Sequence, residues 1–268
     1  YERIYGWQVT AMPLVRYTPY HKVEIAAGAT QTRLLLNGRR QFASDPQLTY
    51  AYFVAGYPAR LLGSPRVALL GCGSMATVGL IGDFARSIDI VDIDPVVFAA
   101  AREHFQSFNR LDRLHNWTFT ANDAKHFLAN TPATYDLILH DITPARSRQV
   151  ALTYTVEFFR LARARLSPGG IFSISSLAPL ADGSRYSRRM LATLGQVFEH
   201  YFVIVRRGSG YFYGGGSGLD ERTPAALLAA IEEARRGGAT LYSRTQIETL
   251  VRGEKIITLS NVGDLIFD

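Results

Sequence analysis

The stretch VALLGCGSMATVGLIGDFARSIDIVDIDP, residues 67–95, constrains the fold more than any other part of the chain. A short apolar run, Val67–Leu70, stops at Gly71, and apolar residues at helical spacing follow from Ala76 to Phe84. A second apolar run, Ile88–Val91, ends in Asp92, about 20 residues after the first glycine, the spacing at which a nucleotide-binding βαβ unit sets a carboxylate on a ribose. A glycine pair alone says little, because any tight turn between strand and helix can want Gly71 and Gly73. The acidic pair Asp92 and Asp94 adds to it, with Pro95 opening the next helix and a side chain pointing into the crevice where open α/β sheets bind ligands. The third glycine of the dinucleotide fingerprint is absent, so no pyrophosphate needs close backbone approach. That favours a nucleoside of the S-adenosylmethionine type over NAD.

The rest of the chain repeats the alternation. A helix is expected after Pro95 to about Ser107, a strand over Trp117–Ala121, a helix over Ala124–Ala129, and a buried strand over Tyr135–His140. Then come a helix over Thr155–Leu166, a turn at Ser167–Gly170, a strand over Ile171–Ser175, a helix over Ser184–His200, strands near Phe202–Val205 and Tyr211–Tyr213, and a helix from Pro224. Gly214–Gly218 reads as a flexible loop. Residues 20–42 read as strands, with Asn37-Gly38 as a two-residue hairpin turn, and Pro46–Leu62 has mostly helical spacing. The expected fold is α/β: a Rossmann-like, doubly wound sheet of the methyltransferase type, with late antiparallel strands, preceded by a small N-terminal β-hairpin domain. Gly63-Ser64-Pro65 marks the boundary, giving residues 1–63 as strands plus linking helix and residues 64–268 as the nucleoside-binding catalytic domain.

Composition narrows the function classes. With 268 residues, 47% of them hydrophobic, the chain can bury a large core. No apolar run reaches the roughly 18 residues that would span a bilayer, and no signal peptide is visible, although a start at Tyr1 leaves room for an upstream segment. The single cysteine, Cys72, leaves no disulfide framework and points to a reducing, cytoplasmic compartment; no metal site is expected. A net charge of +6 invites a nucleic-acid partner, but the basic residues come as scattered pairs such as Arg39-Arg40 and Arg188-Arg189, without interleaved aromatics. A small-molecule substrate is expected instead, with neither nucleic acid nor membrane as partner.

Asp92, Asp123 and Asp141 each lie just past the apolar part of successive expected parallel strands. Any one of them could be a helix cap, worth about 1 kcal/mol. Parallel strands bring all three to one rim. There Asp92 suits ribose hydroxyls, Asp123 suits an exocyclic adenine amine, and Asp141 would face the sulfonium end of the nucleoside. His126 and His140 also fall near this rim, but a lone histidine is more often structural.

From Tyr20 to about Gly170 the chain resembles the spermidine synthase, or polyamine aminopropyltransferase, family. PYHKVEI, LNGRRQF, the glycine turn, DIDP, NDAKHF, YDLILHD, YTVEFF and LSPGGIF occur in that family's order and spacing. The resemblance implies a Rossmann-like domain that binds decarboxylated S-adenosylmethionine as co-substrate, an amine that attacks beside the sulfonium, methylthioadenosine as coproduct, no metal, and a homodimer. It makes Gln41 and Asp123 nucleoside contacts, with Ala124 beside the latter, and Asp92 the ribose ligand, with Ile93 beside it. Gly71, Gly73 and Ser74 form the donor turn, Tyr50 walls the reaction site, and Asp141 is the base that deprotonates the amine.

Three departures bear on substrate. The family's glycine turn carries an aspartate where this chain has Ser74, followed by Met75. Aligned without gaps from LNGRRQF, the family's acidic Asp-Glu-x-x-Tyr segment falls on Pro46, Gln47, Leu48, Thr49 and Tyr50, and a second aspartate after the base falls on Pro144. A buried ammonium without a carboxylate is costly, so a diamine suits this pocket poorly, while intact S-adenosylmethionine loses a repulsion. The expected function is therefore alkyl, aminopropyl-type transfer from S-adenosylmethionine or its decarboxylated form. Methyl transfer, lyase or cyclase chemistry on intact S-adenosylmethionine, and a non-catalytic nucleoside-binding domain stand as alternatives.

Overall fold

The computed structural model describes residues 3–4, 7–44, 49–143, 145, 147–176, 184–206, 208–216, 219 and 238–266. Two short strands, β1 (Arg3–Ile4) and β2 (Trp7–Gln8), pair with each other. An antiparallel sheet follows in the order β3 (Ala11–Tyr17), β4 (Lys22–Ala27), β5 (Thr32–Leu36), β6 (Arg39–Ala43). Asn37 and Gly38 turn β5 into β6 with φ of 54° and 72°, the double left-handed geometry for which this dipeptide is suited.

The larger sheet has the order β14-β12-β13-β11-β10-β7-β8-β9. Its strands are β7 (Arg66–Leu70), β8 (Ser87–Asp92), β9 (Trp117–Ala121), β10 (Tyr135–His140), β11 (Leu166–Ser176), β12 (His200–Arg206), β13 (Ser209–Gly215) and β14 (Ala239–Ser243). The five strands β11-β10-β7-β8-β9 run parallel, and β13, β12 and β14 continue the sheet antiparallel. Both faces are covered, so the central strands are unbroken apolar runs rather than alternating ones. Leu69, Ile90, Leu137 and Leu139 face a core that also holds Val23, Ile25 and Leu34 of the small sheet, α3 (Ala76–Ile81) and α4 (Pro95–Phe105). Leu70, Val91, Ile138 and Phe172 face the opposite core, under α5 (Ala124–Asn130), α7 (Val156–Ala164) and α8 (Arg185–Gly195).

Strand order reverses at β7, which has β8 on one side and β10 on the other. This is the switch point at which open α/β sheets leave a crevice beyond their carboxyl ends. The backbones are close there: a Cβ on Gly71, whose φ is 92°, would come within 2.4 Å of the Asp141 carbonyl oxygen.

Several elements differ from expectation. The helix expected over Pro46–Leu62 begins at Thr49, Pro46–Leu48 lying outside the described residues, and it is not uniform. It runs as α1 (Thr49–Ala51), a π-helical turn over Tyr52–Gly56, and α2 (Tyr57–Leu62). Carbonyls of the π turn find partners on the sheet: Tyr213 Oη donates to Phe53 O, and Ser173 Oγ donates to Val54 O at 2.7 Å. α3 stops at Ile81 rather than Phe84, and α8 at Gly195 because His200 already belongs to β12. Gly214 and Gly215 are not loop but the end of β13, paired with Phe172 and Ile171. A side chain at Gly214 would meet Phe198 and Phe212 within 3 Å, so those glycines serve packing. β3 and β14 had no distinct signal in the sequence, and the helix expected from Pro224 lies outside the described residues. A four-residue helix, α6 (Arg148–Ala151), follows the β10 loop, and α9 (Arg244–Leu250) packs under β12.

Candidate active site

Asp141 is the first residue beyond β10, its backbone N–H donating to Leu70 O at 2.8 Å, so the sheet ladder itself sets its position. Both carboxylate oxygens are engaged. Tyr50 Oη, on α1, donates to Oδ1 at 2.8 Å, and Thr77 Oγ1, on α3, donates to Oδ2 at 3.1 Å. Burial raises the Asp141 carboxyl to about 6, against the pull of these two hydrogen bonds, and the negative charge of Asp92 adds to the rise. At neutral pH the group is a carboxylate with unusual basicity for an aspartate, which is what proton abstraction from an amine needs. Burial of the Tyr50 hydroxyl, then the charge of Asp141, push that phenol well above its usual range, although the residue as a whole is 36% exposed. Tyr50 is therefore a hydrogen-bond donor here and not a base.

Asp92 ends β8 and reaches back to the glycine turn. Its Oδ2 accepts from Cys72 N–H at 2.8 Å and its Oδ1 from Asp94 N–H at 2.8 Å. The carboxylate thus braces the turn it was expected to accompany, and its remaining lone pairs are what a ribose could use. Burial raises its carboxyl while those backbone donors lower it. Two residues on, the fully buried Asp94 caps α4 through Val96 N–H and ties down the small sheet, accepting from Thr18 Oγ1 at 2.7 Å and pairing with His21 Nδ1 at 3.0 Å. Ile93 lies half-buried between these two acids.

Gly71 and Gly73 take positive φ, and Ser74 follows buried at 6% exposure. Ser74 Oγ accepts from Ala76 N–H at 3.3 Å, and its carbonyl accepts from the buried Asn109 Nδ2 at 2.7 Å. Met75, at φ 61°, is fully buried in the core beneath α3. Asp123 is the cap that the conservative reading allowed: Oδ1 accepts from Lys125 N–H at 2.9 Å and His126 N–H at 3.0 Å, with Ala124 buried behind it. Gln41 sits exposed on β6, its amide donating to Arg39 O at 3.4 Å, and no hydrogen bond joins it to the Asp141 cluster. Pro144 lies outside the described residues.

The structure adds residues that sequence reasoning missed. Thr77 reads as one more position on an apolar helix face, and only the fold shows its hydroxyl meeting Asp141. Tyr154, buried, donates to Ile142 O at 3.2 Å and Thr143 O at 3.0 Å and so holds the loop that follows the base. Tyr211, in a strand as expected, stacks on Phe53 at 5.1 Å and lies 6.4 Å from the Tyr50 ring, forming an aromatic wall beside the carboxylate. His140 is structural: it is buried against Tyr154 and Phe158, held at Nε2 by Thr153, and lowered by desolvation to about 4. His126 is exposed and pairs with Asn122. Among the described residues no His, Cys, Asp and Glu group could hold a metal ion, and no helix is long and apolar enough to cross a membrane.

Comparison with known proteins gives one family. The spermine/spermidine synthase domain model matches residues 62–216. The polyamine aminopropyltransferase of Synechococcus sp. (strain JA-2-3B'a(2-13)) is 32% identical over 208 residues, 71% of this chain and 64% of that one. The polyamine aminopropyltransferase of Aeropyrum pernix is 28% identical over 176 residues, 62% of this chain and 55% of that one. The matches thus span less than two thirds of these relatives. In three dimensions the chain is similar to a spermidine synthase solved with the transition-state analogue AdoDATO, with a TM-score of 0.71, 16% identity, and coverage of 97% and 90% of the two chains. A probable spermidine synthase from Corynebacterium glutamicum gives a TM-score of 0.71 at 19% identity, covering 93% of this chain and 97% of that one.

Proposed function

The chain belongs to the spermine/spermidine synthase family, and from that premise we propose that it is a transferase that moves the alkyl chain of an S-adenosylmethionine-type sulfonium to an amine. The observation that carries this is Asp141, a carboxylate of raised basicity fixed by Tyr50 and Thr77 at the switch-point crevice. In the proposed step the amine nitrogen forms a bond to the methylene carbon beside sulfur. The carbon–sulfur bond breaks with its electron pair going to sulfur, which leaves neutral methylthioadenosine. The proton leaving nitrogen passes to the Asp141 carboxylate. Asp92 and Asp123 are the proposed ribose and adenine contacts, with Gly71, Gly73, Ser74, Ile93 and Ala124 around them and Gln41 approaching from the small sheet. Residues 64–268 are taken as the donor-binding domain and residues 1–63 as its cover. A homodimer and a cytoplasmic setting belong to the same reading, supported by family likeness and by the single cysteine.

A second reading concerns the donor, and Ser74 favours it. Because the turn offers a buried neutral hydroxyl instead of a carboxylate, intact S-adenosylmethionine suits it better than the decarboxylated form. The deciding experiment incubates the protein with each donor, with and without a diamine, and reads the nucleoside products by mass spectrometry. Methylthioadenosine that appears only with an amine present supports transfer. Methylthioadenosine without any acceptor would replace transfer by lyase or cyclase chemistry, S-adenosylhomocysteine would replace it by methyl transfer, and no product with either donor would favour a binding domain.

A further inference from the structure

We propose that Thr77 is a positioning residue for Asp141: its hydroxyl fixes the carboxylate from the donor side of the crevice, coupling the glycine-turn helix to the acceptor's base. The inference rests on the transferase reading for its consequence in turnover, but not for its geometry.

Thr77 is only 3% exposed, on a helix whose other buried positions, Ala76, Val78, Gly79 and Ile81, carry no side-chain polar atom. A buried hydroxyl in such surroundings is costly unless it is hydrogen-bonded, and valine would fill the same volume at no such cost. The hydroxyl spans 64 residues of sequence to reach Asp141 Oδ2. Tyr50 holds the other oxygen from α1, so the two donors together fix the plane of the carboxylate. α3 packs against α1 and the π turn that follows it, where a Cβ on Gly56 would lie 3.0 Å from Leu80 Cδ2. The helix bearing Thr77 follows directly from the glycine turn, whose carbonyl at Ser74 is held by Asn109. A shift of that turn therefore moves the hydroxyl that holds the base.

The electrostatic surroundings agree. Asp141 is faced by Tyr50 from α1, by Asp92 at the end of β8, by the Cys72 thiol in the glycine turn, and by Tyr154 before α7. Asp92 adds negative charge. Burial and the Asp141 charge push both tyrosines well above their usual range, and burial and the Asp92 charge do the same for the thiol, so these three stay neutral near pH 7. The hydrogen bonds from Tyr50 and Thr77 are what oppose the desolvation of Asp141.

The test compares wild type, Thr77→Val and Thr77→Ser in the full chain, with the Asp141 carboxyl followed by 13C NMR across pH and assigned with Asp141→Asn. Loss of a donor to a charged acceptor should raise the Asp141 midpoint by about one pH unit in Thr77→Val. Thr77→Ser should restore it, and the acid limb of the turnover profile should move with the midpoint. An Asp141 titration in Thr77→Val that overlays wild type overturns the inference even if turnover falls, because a packing defect alone would do that. A shifted midpoint in a protein that transfers nothing supports the positioning role and removes the transferase reading instead.

Discussion

Ser74→Asp is the substitution that most directly tests how this chain differs from its relatives. The backbone should accept it. Ser74 Oγ already accepts from Ala76 N–H at 3.3 Å, a role that an aspartate oxygen fills at least as well, and the Asn109 bond to the Ser74 carbonyl does not involve the side chain. The new carboxylate would lie in the turn that Asp92 braces at Cys72, so a donor tail entering there would meet a full negative charge instead of a hydroxyl. For a tail carrying only an ammonium, one charge-assisted hydrogen bond contributes about 1.5–3 kcal/mol, or roughly 10- to 100-fold in affinity. A tail that keeps its carboxylate gains nothing and meets repulsion, so the ratio of the two dissociation constants should move by at least that factor toward the decarboxylated donor. The assay must be equilibrium binding, by calorimetry or competition, and not rate. An added charge near Asp141 would raise that carboxyl further and slow proton abstraction whatever the donor. If wild type binds the decarboxylated donor clearly better, and Ser74→Asp leaves both constants unchanged, the donor argument is refuted.

Other outcomes follow from the same geometry. Asp141→Asn should leave methylthioadenosine affinity nearly intact and slow turnover by roughly 100-fold or more, and equal losses of both in calorimetry and kinetics would return Asp141 to a structural role. The same variant has a pH signature. Because the folded carboxyl titrates at about 6, above its unfolded value, the wild-type contribution to stability is present at low pH and is lost as pH rises through 6. Urea denaturation of wild type against Asp141→Asn should therefore show the difference moving by roughly 2 kcal/mol in favour of the variant between pH 4 and 7.5. Asp92→Ala should abolish methylthioadenosine binding and also lower the melting temperature, since Cys72 and Asp94 N–H groups lose their acceptor; unchanged binding would remove Asp92 from the nucleoside site. Tyr213→Phe should cost about 1–3 kcal/mol in urea denaturation by leaving the Phe53 carbonyl of the π turn without its donor, and a cost near zero would mean that water replaces it.

How far the sequence could be read depends on the range of the interaction concerned. The glycine turn, Asp92 and the strand-end position of Asp141 are local consequences of apolar runs that stop where a turn residue or an acid begins. They needed no knowledge of what packs above them, and the hairpin at Asn37-Gly38 was legible for the same reason. The π turn over Tyr52–Gly56 was not, because its carbonyls are satisfied by Ser173 and Tyr213, which lie 119 and 160 residues away. Helical spacing of apolar residues is almost unchanged by a single widened turn. Gly214 and Gly215 misled in the opposite direction: composition suggests a linker, whereas the crowding of Phe198 and Phe212 requires glycine within a strand.

Asp123 shows why the site was harder to read than the fold. As a cap, its Oδ1 is used by Lys125 and His126 N–H groups, so a local requirement alone accounts for the residue and leaves its other oxygen to any further role. Asp92 is similar, since bracing Cys72 and Asp94 would justify an acid there without a ligand. Asp141 differs. It caps no helix, its partners are two hydroxyls from two different helices, and burial holds its carboxyl well above the usual range for aspartate. A strand-end residue kept only for stability would gain by being neutral, so the cost of an ionised carboxylate at that position is the strongest physical argument that the crevice does chemistry.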